Sequence, residues 1–287
     1  MIIIESIEEM QRAADRLRVA SKRIGFVPTM GFLHEGHLDL LRLAKQRCDT
    51  SIMSIFVNPT QFAAGEDLST YPRDFERDCR LAEAIGCDIV FAPEAEEMYP
   101  PNDSTWVQVE DVGKGLEGSV RPTHFRGVST VVTKLFHIVR PHVAVFGQKD
   151  AQQAALIRRM TADLHFGIDI VIAPIRREPD GLAMSSRNTY LSNQERKEAL
   201  ALFRALEIAN ALFSKGERHV DTLRHAVEEE ILRSGNVQLD YTAIVDPDSF
   251  LPVEGNIERK ALIAVAARVG KTRLIDNLIV RNGTTQS

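Results

Sequence analysis

The chain has 287 residues, 44% of them hydrophobic and 26% charged, with 35 basic and 40 acidic side chains giving a net charge of −5. Those proportions exclude fibrous and disordered classes and leave room for two domains with a substantial core. The acidic balance argues against a broad electrostatic grip on nucleic acid, and no run approaches the roughly 18 apolar residues of a membrane helix.

The opening Met1-Ile-Ile-Ile-Glu-Ser-Ile-Glu-Glu9 is too short for a signal h-region and has no basic n-region. Apolar runs then alternate with amphipathic stretches through residue 175, the pattern of β-α units on a parallel sheet. Strands are predicted over 24–27, 51–57, 88–91, 143–146 and 168–172, and helices over 36–47, 73–85, 127–140 and 150–162. This order predicts a doubly wound, mostly parallel Rossmann-like sheet whose ligand crevice lies beyond the carboxyl ends of its strands. The three cysteines, Cys48, Cys79 and Cys87, form no C-x-x-C pair and are expected as buried thiols of a reducing cytosol.

After Pro174 the character changes. The stretch 175–193 mixes charges, Pro179, Gly181 and serines with little periodicity, as a flexible junction loop would. Helices over 194–214 and 220–234 follow, then strands around 239–245, 262–267 and 273–280. The chain therefore divides into a domain over 1–175 and a smaller α+β domain over 176–287, with a polar tail after Arg281.

Two glycine motifs look like nucleotide loops and are not. Gly113-Lys-Gly115-Leu-Glu-Gly118 satisfies G-x-G-x-x-G after a strand candidate over 106–109, but Pro122 stands where the dinucleotide helix should be running, so a mobile loop is expected. Gly270-Lys271-Thr272 ends like a phosphate loop, yet Val265 replaces its first glycine, and a tight turn between strands suffices.

The chemistry concentrates at strand ends and at the junction. Strand 24–27 stops at Pro28 and continues Thr29-Met30-Gly31-Phe32-Leu33-His34-Glu35-Gly36-His37. A turn opening a helix aims backbone N–H groups and a positive helix end at one spot, a phosphate site, with both histidines on the same side. A zinc helix would space its histidines i, i+4, so metal ligation is not expected at this i, i+3 pair. The second strand ends Asn58-Pro59-Thr60-Gln61, whose amides suit a polar substrate at the crevice mouth. The fourth ends Gly147-Gln148-Lys149-Asp150, where Lys149 is a phosphate candidate, Asp150 a helix cap or ribose contact, and Gln153 repeats the amide chemistry. The junction carries Met184-Ser185-Ser186-Arg187, an anion clamp able to close over polyphosphate. Arg121, His124 and Arg126 put three cations in six residues, a substrate lid or a solvated turn.

Taken in order, Pro28 to His37, Phe56 to Phe62, Arg121 to Gly127, Phe146 to Asp150 and Asp180 to Asn188 resemble the pantothenate synthetase family over nearly the whole chain. His34-Glu-Gly-His37 is similar to the HIGH signature of the nucleotidyltransferase superfamily, and Met184 to Arg187 to its KMSKS loop. The resemblance implies ATP-dependent ligation of (R)-pantoate with β-alanine through a pantoyl adenylate, releasing AMP and pyrophosphate, with magnesium on ligands the resemblance does not name. It further implies that Met30, Gly31, Phe32, Leu33, His34, Glu35, Gly36 and His37, together with Gly147, Gln148, Lys149 and Asp150, hold ATP. Arg176, Met184, Ser185, Ser186 and Arg187 would close the nucleotide side as the C-terminal domain folds over it. His37, His34, Lys149 and Arg187 are then the catalytic candidates, and Gln61, Gln153, Asn58 and Met30 the substrate contacts. A cytoplasmic homodimer with no nucleic-acid or membrane partner is also implied. Another nucleotidyltransferase would need more cations than Gln61 and Gln153 supply, a silent nucleotide sensor should have lost a histidine or Lys149, and a tRNA-linked role lacks a basic appendage.

Overall fold

The structure, a computed structural model, describes residues 1–63, 66 and 68–282; the polar tail from residue 283 lies outside the described residues. The chain runs through β1 (Ile2–Ile4), α1 (Ile7–Val19), β2 (Ile24–Thr29), α2 (Glu35–Arg47), β3 (Thr50–Ile55), α3 (Phe75–Ala84) and β4 (Ile89–Phe91). The one-turn helices α4 (Ala95–Met98) and α5 (Glu117–Val120) follow, then α6 (His124–Val139), β5 (Val143–Gly147), α7 (Ala151–Asp163) and β6 (Asp169–Ala173). After these come α8 (Asn193–Ser214), α9 (Val220–Leu232), β7 (Val237–Val245), β8 (Lys260–Val269) and β9 (Thr272–Arg281).

Packing divides the chain into two compact units, Met1–Gln148 with Leu156–Pro174, and Lys149–Ala155 with Ile175–Ser287. The first turn of α7 thus groups apart from the rest of its helix.

In the first unit six strands form one sheet in the order β1-β4-β3-β2-β5-β6, and every ladder among them is parallel. Strands so covered are buried on both faces, which is why β2 reads as a nearly unbroken apolar run, with Ile24, Phe26 and Val27 fully buried. Val27, Met53, Val90, Val143 and Val145 meet Leu38, Leu41 and Ala44 of α2 on one face. Their strand neighbours point the opposite way, toward α1 and α6. The strand order reverses between β2 and β5, so the segments following those two strands start at the switch point where doubly wound sheets bind ligands.

The second unit holds the antiparallel sheet β7-β8-β9. Its core joins Leu202, Leu206 and Phe213 of α8 and Leu223, Val227 and Ile231 of α9 to Ile263, Val265 and Ala267 of β8. Gly270 and Lys271 make the tight turn between β8 and β9, as expected.

Four features differ from the sequence expectation. β1 and α1 went unread: β1 is a three-residue edge strand with two exposed isoleucines, too short for a periodicity signal, whereas α1 had a readable cue, Ser6 accepting from the N–H of Glu9 in a Ser-x-x-Glu pattern. Residues 106–109 are not a strand; the N–H of Val107 donates to Thr130 Oγ1 at 3.0 Å and its carbonyl accepts from Ser129 Oγ, so hydroxyls of α6 satisfy this backbone. The Gly113–Gly118 segment is a packed turn leading into α5, with Val112 and Glu117 buried. Among the thiols only Cys87 is buried, which pushes its pKa up to about 11, while Cys48 and Cys79 are half-buried.

Candidate active site

The turn after β2 is held from inside. Thr29 Oγ1 donates to the Ser54 carbonyl at 2.7 Å and accepts from the N–H of Gly31 at 3.2 Å. Phe32 sits at φ +47°, a region a bulky side chain avoids unless its surroundings enforce it. The enforcing group is Asp78 of α3, 1% exposed, whose carboxylate accepts from the N–H of Phe32 at 2.6 Å and of Leu33 at 2.7 Å. Burial pushes the Asp78 carboxyl up against the pull of those two donors. Arg77 lies over the Phe32 ring, 5.3 Å from its centroid.

This corrects the expectation that the amides of the turn face phosphate. The N–H groups of Gly31, Phe32 and Leu33 are bonded within the protein, and the Leu33 side chain is fully buried. Glu35 points its carboxylate to Arg42, 3.0 Å away. Instead the histidines present the polar surface. His34 caps α2, its Nδ1 accepting from the N–H of Gly36 at 3.1 Å, and His37 Nδ1 accepts from the N–H of His34 at 3.3 Å. Assigned from these partners, the neutral tautomer of each carries its proton on Nε2, and the rings stack with centroids 4.0 Å apart. The capping that starts the helix therefore also fixes the orientation of both rings.

The turn Pro59–Gln61 after β3 is equally constrained. Asn58, 1% exposed, accepts from the N–H and Oγ1 of Thr60 and donates to Gln61 Oε1 and the Gly127 carbonyl, each at 3.2 Å. Its four hydrogen-bonding positions are filled, so it orients Gln61 and has none left for the substrate contact expected of it. Gln61 Nε2 points at Met30 Sδ, 2.8 Å away. Arg121 forms a bidentate pair with Glu66, at 2.7 and 2.5 Å, and reaches the Gln61 carbonyl at 3.2 Å. His124 Nδ1 lies 2.9 Å from that same carbonyl. Arg126 lies over Trp106 at 4.7 Å. Two of these three basic residues, Arg121 and His124, thus brace the backbone of Gln61.

In the second unit, Lys149 and Asp150 lie in the 3-10 turn Gln148–Asp150, with Lys149 Nζ 3.5 Å from the Asp150 carboxylate. Gln153 is half-buried on the first turn of α7. Within the stretch 175–193 expected as a junction loop, residues 176–184 form a hydrogen-bonded hairpin: Met184 donates to the Arg176 carbonyl at 2.9 Å, Glu178 to Leu182 at 2.8 Å, and Arg177 pairs with Ala183. Gly181 at its tip has φ +100°, and a Cβ there would stand 2.2 Å from the Phe203 ring. Ser185 Oγ caps the turn Ser186–Tyr190 by accepting from the N–H of Arg187 at 3.3 Å. Arg176 is exposed, its carbonyl holding the hairpin.

Sequence reasoning passed over Asp78, Arg177, Asp276 and Asn277. Arg177 binds Asp276 through both terminal nitrogens, at 2.6 and 3.0 Å. A signal existed: Asp276-Asn277 interrupts the apolar run Leu274 to Val280.

The sheet order, the polar strand ends and the stacked histidines define a doubly wound α/β protein with polar side chains gathered at the carboxyl ends of its strands. The sequence model of the pantoate-beta-alanine ligase family matches residues 2–279. The pantothenate synthetase of Thermotoga neapolitana is 55% identical over 98% of this chain and 100% of its own length. The crystal structure of the Thermus thermophilus pantothenate synthetase superposes with a TM-score of 0.92 at 45% identity, covering 97% of this chain and 99% of that one. The Francisella tularensis pantoate-beta-alanine ligase, complexed with beta-gamma ATP and beta-alanine, gives 0.79 at 31% identity over 97% of each chain. The chain belongs to the pantoate-beta-alanine ligase family.

Proposed function

We propose that this chain joins (R)-pantoate to β-alanine at the expense of ATP, in two steps. In the first, a pantoate carboxylate oxygen attacks the α-phosphorus in line, the bond from that phosphorus to the bridging oxygen breaks, and pyrophosphate leaves, giving pantoyl adenylate. In the second, the β-alanine amine, as free base, attacks the acyl carbon. AMP departs with the electron pair of the acyl–oxygen bond, and the amine loses a proton to solvent. AMP is a good enough leaving group that no covalent enzyme intermediate is required.

The single observation carrying this reading is the His34–His37 pair, two imidazoles stacked at the start of α2 beyond the carboxyl end of β2, of a type able to act as N–H donors to phosphate. Such donors, preorganised where negative charge grows on phosphate, lower the barrier without reorganising during reaction. Lys149 and Arg187 neutralise the departing pyrophosphate, and Ser185 and Ser186 add hydroxyls. Gln61, braced by Asn58 and Arg121, presents its amide beside Met30 to the pantoate hydroxyls. A neutral amide serves better there than a cation, which would trap the attacking carboxylate in an ion pair. Gln153 shares that task, and Gln61 also meets β-alanine. Gly147, Gln148, Asp150, Arg176 and Met184 line the nucleotide side.

The family chemistry implies magnesium. Among the described residues no three acidic, histidine or cysteine side chains converge on one point, and the Asp78 carboxylate is already engaged by two amides. These residues suit a magnesium ion that arrives on the nucleotide phosphates with its own waters, as part of the substrate. The resemblance also supports a cytoplasmic homodimer, and no helix among the described residues is long and apolar enough to cross a membrane.

The test is incubation with magnesium, ATP and pantoate, with and without β-alanine, following AMP and pantothenate by mass. Pantothenate and AMP should appear in equal amounts only when all substrates are present, and pyrophosphate–ATP exchange should require pantoate alone. Multiple-turnover AMP release independent of pantoate and β-alanine would overturn the assignment.

A further inference from the structure

β9 carries two polar residues in succession where its neighbours are apolar. Asp276 occupies the register of Leu274 and Leu278, which belong to the core of the second unit, and its side chain is 3% exposed. Both of its oxygens are engaged by Arg177, at 2.6 and 3.0 Å. Arg177 Nη1 also donates to the Gly181 carbonyl at 3.1 Å, and the guanidinium lies over the Phe203 ring at 4.6 Å. The Arg176–Met184 hairpin is therefore clamped from three directions. The next residue, Asn277, donates from Nδ2 to the Lys149 carbonyl at 3.0 Å. Two adjacent positions of one strand thus hold two segments that are far apart in the chain.

We propose that Arg177, Asp276 and Asn277 are positioning residues for the nucleotide: the Arg177–Asp276 pair sets the hairpin that delivers Met184–Arg187, and Asn277 sets the backbone from which Lys149 projects. The inference rests on the reading of Lys149 and Arg187 as the polyphosphate cations. Folding alone does not call for the pair. A buried ion pair seldom improves on apolar packing of the same volume, and burial pushes the Asp276 carboxyl up in spite of the Arg177 fork and Lys149 nearby. The arrangement instead has the character of preorganisation, in which a small misplacement of a charged group far from the reacting atoms can cost up to about 10²-fold.

Asp276→Asn keeps the shape and one acceptor but removes the charge; Asn277→Ala removes the bond to the Lys149 carbonyl; Arg177→Lys keeps the charge and loses the fork. We expect Asp276→Asn and Asn277→Ala to raise KM for ATP about tenfold and to slow pantoate-dependent pyrophosphate–ATP exchange, with KM for pantoate unchanged. Arg177→Lys should fall between them and the unaltered enzyme. A purely structural defect would instead lower kcat through the active fraction and leave both KM values alone. Should Asp276→Asn fail to fold, as circular dichroism would reveal, Asn277→Ala decides the matter, because its loss leaves the ion pair in place. Unchanged ATP kinetics in folded Asn277→Ala and Asp276→Asn, or equal effects on both substrates, would overturn the proposal. Lys149→Ala and Arg187→Ala in the same assay separate the two levels. If they abolish exchange while the β9 variants are neutral, only the positioning role falls; if they too are neutral, the cation reading itself falls.

Discussion

In His34 and His37 the Nδ1 atoms complete the start of α2, so helix capping fixes how both rings stand beyond the carboxyl end of β2. Lys149 is held by its backbone, whose carbonyl accepts from Asn277, while its ammonium lies 3.5 Å from the Asp150 carboxylate and caps no helix. Lys149→Ala is accordingly expected to slow adenylate formation by about 10²-fold or more through lost transition-state stabilisation; pyrophosphate–ATP exchange at the unaltered rate would exclude that role. Asn58 is the opposite case, a buried amide whose partners are all protein. Asn58→Ala removes the donor to Gln61 Oε1 and to the Gly127 carbonyl, and should cost about 1–3 kcal/mol in urea unfolding as well as raising KM for pantoate.

Between elements, α6 approaches the Pro59–Gln61 turn closely at Gly127. At Gly127 an added Cβ would stand 2.4 Å from the Thr60 carbonyl oxygen and 2.7 Å from the Gln61 nitrogen, both backbone atoms that cannot swing aside. Gly127→Ala should therefore lose about 1–3 kcal/mol to overpacking and shift Gln61, so that the KM for pantoate rises while that for ATP holds. Equal thermal midpoints and equal pantoate KM for variant and parent would show that the turn tolerates displacement. The Asp78 contact acts in the same manner on the turn after β2, where α3 supplies the carboxylate that keeps Phe32 at positive φ.

Across the whole molecule, four of its carboxyls divide by sign: Glu66 and Asp180 are lowered, Asp78 and Asp276 raised. Burial raises the Glu66 carboxyl, but the hydrogen bonds and charge of Arg121 outweigh it and hold the group below its usual range. Asp180 behaves likewise, burial being outweighed by Arg196 and the N–H of Leu182. A carboxyl depressed in the folded state adds stability above its unfolded pKa, about 4, and loses it as pH falls through the lower folded value. Asp78 and Asp276 are raised by burial, so their contribution is present below about 4 and lost as pH climbs through their folded values. Glu66→Gln should thus be destabilised relative to the parent at neutral pH, and the gap should close below about pH 4. Urea unfolding from pH 7 downward measures it, and a gap that does not vary with pH would remove the Arg121–Glu66 pair from the account.

Alternation of apolar and amphipathic runs is a local property, so the order of β-α units, the parallel sheet and the change of character after Pro174 could all be read directly from residue periodicity. The polar strand ends could be read as well, because packing does not explain His34, Gln61 or Lys149 where a buried run stops. The partners of those residues could not. Asp78 lies more than 40 positions from the turn it pins, Asn58 meets Gly127 across 69, and Arg177 meets Asp276 across 99. No periodicity links positions so distant; only folding brings them together. Folding also turned the amides of Gly31, Phe32 and Leu33 inward, changed Asn58 from a substrate contact to a brace, and tied residues 176–184 into a hairpin. Chain order carries the local chemistry of each segment, whereas which hydrogen bonds remain for a ligand depends on what the rest of the molecule has already claimed.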